Sequence, residues 1–258
     1  GTGGDADPCA GGTVGAASDS AASDTHVNGF GFVELDVSTQ NQIIALETTL
    51  TVPPSPPASG TLFLWPGLQP SPGGHNYDVL DNGVLQPVLT WGPTCAPTSP
   101  VDPYASWWVS AQYVNTFIMP ASPFYDTYSG CRGGQGMDVA VAAQLKISMS
   151  LSETTWNQIV TDAQTGASVS FSLDMLEQAQ HRALFVIEDY ARPPVSDVVF
   201  TSTMLKFASP EADACQAQWR GESDYFAAPV ASRDGLHCCI SRIILRAEGV
   251  SPTSPNGP

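Results

Sequence analysis

The chain has 258 residues, of which 42% are hydrophobic and 13% are charged, which is enough apolar material for one packed domain. Its formal net charge is −16, with nine Lys and Arg residues against 25 Asp and Glu residues. Such a surface repels polyanions, so we expect no nucleic-acid partner and no binding to an anionic membrane. No apolar run approaches the length of a membrane span.

Short segments with alternating apolar residues, separated by Gly- and Pro-rich turns, predict strands along most of the chain. In chain order the predicted strands cover residues 28–37, 42–52, 61–65, 84–91, 106–117, 137–152, 156–162, 168–173, 183–190, 197–207 and 241–247. The predicted loops are residues 66–76, 92–103 and 120–136, with a short helical turn at 175–181. This pattern predicts an all-β fold with little helix, an antiparallel β-sandwich of two packed sheets.

Composition divides the chain into three regions. Residues 1–25 are rich in Gly, Ala, Ser and Asp, and we expect a flexible acidic segment there. Residues 26–208 would form the sandwich. Residues 209–258 would be a Cys-containing C-terminal extension that packs on the sandwich and ends in a Pro-rich tail.

The six cysteines are irregularly spaced, which favours disulfides and an oxidising compartment over a zinc site. Cys238 and Cys239 are adjacent and should bond to different partners, because a bond between neighbours is strained. Fifteen pairings are possible for six cysteines. We predict a Cys95–Cys131 bond that brackets the loop-rich middle, with the other four cysteines tying the two ends of the chain together. A secreted, extracellular protein is the corresponding expectation.

Two predicted strands carry a polar side chain within an apolar row. Asn82-Gly83 is a turn pair, and the strand that follows places Gln86 on one face with Val84 and Val88. Gln86 must either find hydrogen-bond partners within the sheet or line a cleft. The second strand, residues 183–190, carries Glu188 at the end of its apolar run.

These two strands resemble the active strands of the glutamic peptidases, or eqolisins. The family has Ile-Leu-Gln-Thr-Gly with a tryptophan a few residues on, and here residues 84–88 lead to Trp91 at the same offset. The family's catalytic glutamate lies in a Phe-Ile-Ile-Glu-Asp-Phe type strand, which residues 185–190 resemble closely. Weaker sequence similarities occur at residues 65–68, 105–108 and 165–166, in the same order as in the family. The resemblance covers roughly residues 28–207.

The resemblance implies a concanavalin-like jelly roll of two seven-stranded sheets, with Gln86 and Glu188 together on the concave face. It implies a secreted acid endopeptidase acting on polypeptides, with Glu188 as general acid and base and Gln86 as the oxyanion donor. Such a pair needs no metal and no other cofactor. The chain departs from the family at Gln69, where the family has an acidic residue, and at Val109, where it has a glutamate.

The remaining candidates for substrate binding are mostly aromatic residues near these strands. Trp107 and Trp108 are neighbours, so one of them faces the core and the other can stack on a ligand. The full set of expected substrate-binding residues is Trp65, Gln69, His75, Tyr77, Trp91, Trp107, Trp108 and Tyr113.

Two other functions fit the same sandwich. A non-catalytic module would use its aromatic face to bind a glycan or a protein. A polysaccharide lyase would use Gln86 to neutralise a uronate carboxylate, with His75 or a tyrosine, Tyr77 or Tyr113, abstracting the proton.

Overall fold

The computed structural model describes residues 7–19, 30–70, 80–116, 118–190, 196–217, 219–221 and 225–247. Nearly all regular structure in these residues is β. The strands are β1 (Thr13–Val14), β2 (Ser18–Asp19), β3 (Phe30–Asp36), β4 (Ile43–Thr51), β5 (Thr61–Gln69), β6 (Val84–Trp91), β7 (Trp107–Asn115), β8 (Gly130–Val139), β9 (Gln144–Ser152), β10 (Thr155–Asp162), β11 (Ser168–Asp174), β12 (Arg182–Tyr190), β13 (Val198–Phe207), β14 (Trp219–Gly221), β15 (Tyr225–Phe226), β16 (Val230–Ala231) and β17 (His237–Leu245). The two short helices are α1 (Tyr125–Tyr128) and α2 (Ala212–Ala217).

The strands form two antiparallel sheets, so the fold is the all-β sandwich that the sequence predicts. The seven-stranded sheet has the order β14-β3-β12-β5-β6-β7-β8. The ten-stranded sheet has the order β1-β16-β17-β13-β4-β9-β10-β11, and β15 joins β17 to β2. The resemblance predicted seven strands in each sheet, and the extra strands of the larger sheet come from the two ends of the chain.

One large hydrophobic core lies between the sheets. Phe185 of β12 meets Phe200 of β13 with ring centroids 5.1 Å apart, so the two sheets pack directly face to face. In the seven-stranded sheet, alternate residues such as Leu85 and Leu89 enter this core. The residues between them lie on the opposite surface of that sheet, which we call the outward face.

Several of the predicted elements differ from the structure. The predicted loop at 120–136 ends too late, because β8 begins at Gly130. The predicted loop at 66–76 begins too early, because β5 continues through Pro66 to Gln69. The predicted strand at 137–152 is two strands in different sheets, and the chain turns between them at Ala142, whose φ is 65°. No helical turn forms at 175–181, where Leu176 and Glu177 have positive φ instead.

The turn before β6 is built differently from the Asn-Gly turn that the sequence predicts. The residue with positive φ is Asp81, at 57°, rather than Asn82 or Gly83. Gly83 is required for a different reason: a Cβ at this position would lie 2.1 Å from the Tyr113 hydroxyl. The close approach of Tyr113 therefore fixes a glycine at the start of the strand that carries Gln86.

Described segments near both ends of the chain are part of the sheets. β17 lies between β16 and β13 in the ten-stranded sheet, and β14 pairs with β3 at the edge of the other sheet. Residues 13–19, within the segment predicted to be flexible, contribute β1 and β2. The sequence boundary at residue 208 therefore does not coincide with a break in either sheet.

Three disulfides hold these segments. Cys95–Cys131 forms as predicted, and the other four cysteines pair as Cys9–Cys239 and Cys215–Cys238. Cys9–Cys239 joins the first described residues to the last strand, which confirms the predicted tie for one pair. Cys215–Cys238 instead joins α2 to β17 within the C-terminal region, so the prediction was wrong for the other pair. Three disulfides fit a protein of an oxidising compartment. Among the described residues, no helix has the length and apolar character needed to cross a membrane.

Candidate active site

Gln86 and Glu188 lie on the outward face of the seven-stranded sheet and line one cavity of about 520 Å³. Glu188 is on β12 and Gln86 is on β6, with β5 between these strands. On β12 the side chains of Phe185 and Ile187 fill the core, so Glu188 points outward. The same alternation turns Gln86 outward, because its neighbour Leu85 is in the core.

The rest of the cavity is mostly apolar. Phe63, Trp65 and Val88 form one part of its wall, and the Cys95–Cys131 disulfide joins two segments of its rim. Among the described residues that line it, Glu188 is the only one with an acidic or basic side chain. A single carboxyl group in such surroundings is typical of a site where proton transfer is tuned by burial.

Burial raises the pKa of Glu188 to about 7, because the apolar surroundings disfavour the charged carboxylate. The indole N–H of Trp65 and the hydroxyl of Tyr190 act in the opposite direction, since both stabilise the carboxylate. Trp65 Nε1 is buried and has no partner at normal hydrogen-bond geometry among the described residues, so its effect is electrostatic. Burial and the Glu188 carboxylate raise the pKa of Tyr190 to about 12, which keeps its hydroxyl protonated as a donor.

Replacing Tyr190 with phenylalanine is expected to raise the pKa of Glu188 further, by up to about one pH unit, because the carboxylate loses a hydrogen-bond donor. The ring contact with Phe63, 5.7 Å between centroids, can be kept by the phenylalanine. The pKa can be read from the carboxyl signal of Glu188 in a pH titration by NMR. An unchanged or lower pKa in the variant would show that Tyr190 does not stabilise the carboxylate.

Two prolines interrupt the backbone ladder beside Gln86. In the described β5–β6 pairing, residues 62–64 pair with residues 89–91, and pairing resumes only where Leu68 meets Leu85. Pro66 and Pro87 lie within the gap, and neither has an N–H to donate. β6 is nevertheless an interior strand, flanked by β5 and β7. The prolines therefore leave a local irregularity in the middle of the sheet, at the floor of the cavity.

Gly67 holds the Trp65 side chain in place. A Cβ at Gly67 would lie 2.7 Å from the Trp65 ring, so the indole lies over this glycine. Trp65 is 5% exposed and belongs to an outward cluster with Val88 and Val186. Of the expected substrate-binding residues that the structure describes, Trp65 is the one placed in the cavity wall.

Gln69 and Trp108 lie on the outward face but do not line the cavity. The Gln69 amide donates to the carbonyl of Asn82 over 3.3 Å. Trp108 is the outward member of the Trp107–Trp108 pair, but it is only 1% exposed and its Nε1–H donates to the carbonyl of Gly92 over 3.4 Å. It therefore offers no open platform for stacking.

Three other expected binding residues are in the core between the sheets. Trp91, Trp107 and Tyr113 are buried there, and the rings of Trp91 and Trp107 lie 5.5 Å apart. Their position follows from strand alternation, which places each of them on the core side of its sheet. His75 and Tyr77 lie outside the described residues.

The two departures from the family differ in position. Val109 is in the core, so a glutamate at this position would face away from the cavity. The neighbours that face outward on β7 are Ser110 and Gln112, which pair with Val88 and Gln86 on β6. The valine at position 109 therefore does not remove an acidic side chain from the cavity.

Four other charged groups on the outward face form a separate cluster near the β14 edge of the sheet. Arg182 donates to both carboxylate oxygens of Asp36, at 2.6 and 2.9 Å, and Arg220 contacts Asp36 and Glu34. These residues come from β3, β12 and β14, so the cluster ties three strands together. Their charges balance, and none of the four residues lines the cavity.

The cavity residues that sequence reasoning missed include Tyr190 and Gln112. Tyr190 follows Glu188 by two residues, so strand alternation could have placed both side chains on one face. Gln112 lies directly opposite Gln86 across β6 and β7. Only the pairing register reveals this neighbour, because the two residues are far apart in the sequence.

No protein-family model matches the chain, and no curated protein matches it. Among solved structures, scytalido-glutamic peptidase with a transition-state analogue inhibitor is 14% identical, covers 83% of this chain and 98% of its own, and has a TM-score of 0.50. SCP-B, a member of the eqolisin family of peptidases in complex with the tripeptide Ala-Ile-His, is 15% identical. It also covers 83% of this chain and 98% of its own, with a TM-score of 0.46.

A glycoside hydrolase family 16 endo-glucanase from Bacteroides ovatus is also similar, at 11% identity, with 69% of this chain and 72% of its own covered and a TM-score of 0.34. At such identities a likeness concerns the fold. The comparison with scytalido-glutamic peptidase thus supports a sandwich of the kind found in glutamic peptidases.

Proposed function

We propose that the chain is an endopeptidase that hydrolyses polypeptides with Glu188 as general acid and base and Gln86 as oxyanion donor. The observation that carries the proposal is that both side chains line the same cavity. The apolar wall around Phe63, Trp65 and Val88 suits an apolar side chain of the substrate. Secretion is part of the proposal and is supported by the three disulfides.

The chemistry proceeds in two steps. The Glu188 carboxylate takes a proton from a water molecule while the water oxygen bonds to the carbonyl carbon of the peptide. The carbonyl oxygen becomes negative, and the amide N–H of Gln86 stabilises it. Glu188 then gives the proton to the amide nitrogen, the C–N bond breaks, and the products are a carboxylic acid and an amine. No metal or cofactor takes part in this scheme.

The pKa of Glu188 decides the pH at which this chemistry runs. The first step requires the carboxylate, and with a pKa of about 7 this form is the minority in acid. The expected kcat/KM therefore rises about tenfold per pH unit in acid and levels off near pH 7. The resemblance alone predicts an acid optimum, and the burial of Glu188 moves our proposal towards neutral pH.

Digestion of a denatured protein over a range of pH tests the proposal. Reduced and carboxymethylated lysozyme can be incubated with the chain from pH 3 to pH 9, and cleavage followed by mass spectrometry. We expect internal cleavage that increases with pH up to about 7. Metal chelators should leave the rate unchanged, because neither step uses a metal.

The outcomes separate the functional classes. If no peptide bond is cleaved at any pH, the peptidase proposal fails. Binding of a glycan without turnover would instead favour the non-catalytic module, and the appearance of unsaturated products from a uronate polymer would favour the lyase. Cleavage with an optimum at pH 3 to 4 would keep the peptidase but contradict a general base with a pKa near 7.

A further inference from the structure

Gln112 presents a second amide group to the cavity, directly opposite Gln86 across β6 and β7. The residue is 1% exposed, and its Nε2 is buried with no hydrogen-bond partner among the described residues. A buried donor without a partner is unfavourable, and folded proteins rarely leave one in this state. An amide of this kind at a cavity wall is available to a ligand.

The backbone around Gln112 is held from the other side of the sheet. The β7–β8 pairing shifts by one residue between Ser110 and Gln112, which is a β-bulge. At this bulge the Gln158 side chain of the ten-stranded sheet donates to the carbonyl of Gln112 over 2.9 Å. Gln158 is fully buried, so a hydrogen bond across the core fixes the residue that faces the cavity.

The strand beyond Gln112 makes room for its side chain. Gly133 of β8 pairs with Gln112, and a Cβ there would come within 3.4 Å of the Gln112 Cγ and 2.9 Å of the Ala111 carbonyl oxygen. A larger residue at 133 would press on both. The glycine and the bulge thus set the position of the Gln112 amide beside that of Gln86.

We propose that Gln112 Nε2 donates a hydrogen bond to a backbone carbonyl of the bound peptide other than the one that is cleaved. This inference rests on the proposed function. In the sheet order β12-β5-β6-β7, Gln112 lies one strand further from Glu188 than Gln86 does, or about 4.8 Å. An extended peptide advances about 3.3 Å per residue, so a donor displaced by a strand spacing meets a carbonyl other than the reacting one.

The test is the kinetics of Gln112→Leu, measured with a quenched fluorescent peptide made from a cleavage site found in carboxymethylated lysozyme. We expect KM to rise about tenfold and kcat to stay within about twofold, because the lost bond is made equally in the ground and transition states. The midpoint of urea unfolding should be unchanged or higher, since the substitution removes an unpaired buried donor. Gln86→Leu should instead lower kcat by about 100-fold or more.

Gln164→Leu is the matched control, because Gln164 is an exposed glutamine in the β10–β11 turn. It should leave kcat, KM and the unfolding midpoint unchanged. An unchanged KM in Gln112→Leu would overturn the inference. If the unfolding midpoint of that variant also falls, Gln112 has a structural role. A fall in kcat at constant KM would also overturn it, because the bond would then form only in the transition state.

The peptidase proposal can fail separately from this inference. If the wild type cleaves nothing, reduced and carboxymethylated lysozyme itself is titrated into the wild type and into Gln112→Leu by calorimetry. Binding that is about tenfold weaker in the variant supports the Gln112 contact without any turnover. Equal affinity, or no binding to the wild type, overturns it.

Discussion

The Glu188→Gln variant is expected to lose peptide hydrolysis, with kcat lower by about 100- to 10,000-fold at pH 7 and above, where the wild type carries the carboxylate. An amide cannot accept the proton of the attacking water, and no other described residue of the cavity has an acidic or basic side chain to replace it. The residual rate should not depend on pH near 7, because the group that titrates there has been removed. Progress curves with the quenched peptide between pH 4 and pH 9 measure both effects.

Glu47→Gln is the control for this experiment. Glu47 is an exposed glutamate on β4 of the ten-stranded sheet, so its loss makes the same change in net charge away from the cavity. It should keep the wild-type rate and pH profile. A Glu188→Gln protein that still cleaves at the wild-type rate would remove Glu188 from the mechanism, even if the chain is a peptidase.

The sequence predicted which residues of each strand face the same way. Val84, Gln86 and Val88 alternate with Leu85 and Leu89, and the structure places the first set outward and the second set in the core. This succeeded because strand alternation is a local property of the backbone. The same reasoning indicated that only one of Trp107 and Trp108 could face outward, but it could not tell which one.

The partners of each strand could not be predicted from the sequence. The order β12-β5-β6-β7 depends on long connections and on how the two sheets pack, and a local sequence pattern predicts neither of these. For this reason Gln112 was missed, although it lies directly opposite Gln86. Burial of aromatic side chains was also unpredictable, and Trp91 and Tyr113 proved to be core residues rather than ligand contacts.

The resemblance to glutamic peptidases predicted which two strands carry the site, but it did not predict the chemistry of the cavity. It placed Gln86 and Glu188 in one region, and both line the same cavity. It did not indicate the pKa of Glu188, which depends on burial by neighbours from several strands. The expectation of an acid optimum and the raised pKa now make opposite predictions for the same experiment.

Glu188→Gln should also change the stability of the protein, and this effect does not depend on catalysis. The pKa of Glu188 is raised from 4.5 to about 7 in the folded state, so between these pH values the folded chain binds a proton that the unfolded chain has released. The free energy of unfolding of the wild type therefore falls as pH rises through this window. At 1.36 kcal/mol per pKa unit the loss reaches about 3 kcal/mol above pH 7.

The glutamine variant has no proton to release, so it should match the wild type near pH 4 and exceed its free energy of unfolding by about 3 kcal/mol near pH 8. Urea unfolding of both proteins with disulfides intact, at pH 4, 6 and 8, measures the difference. A difference that stays constant over the three pH values would mean that Glu188 titrates alike in the folded and unfolded chain. The carboxyl group would then be in contact with water, and this would contradict a general base whose pKa is raised by burial.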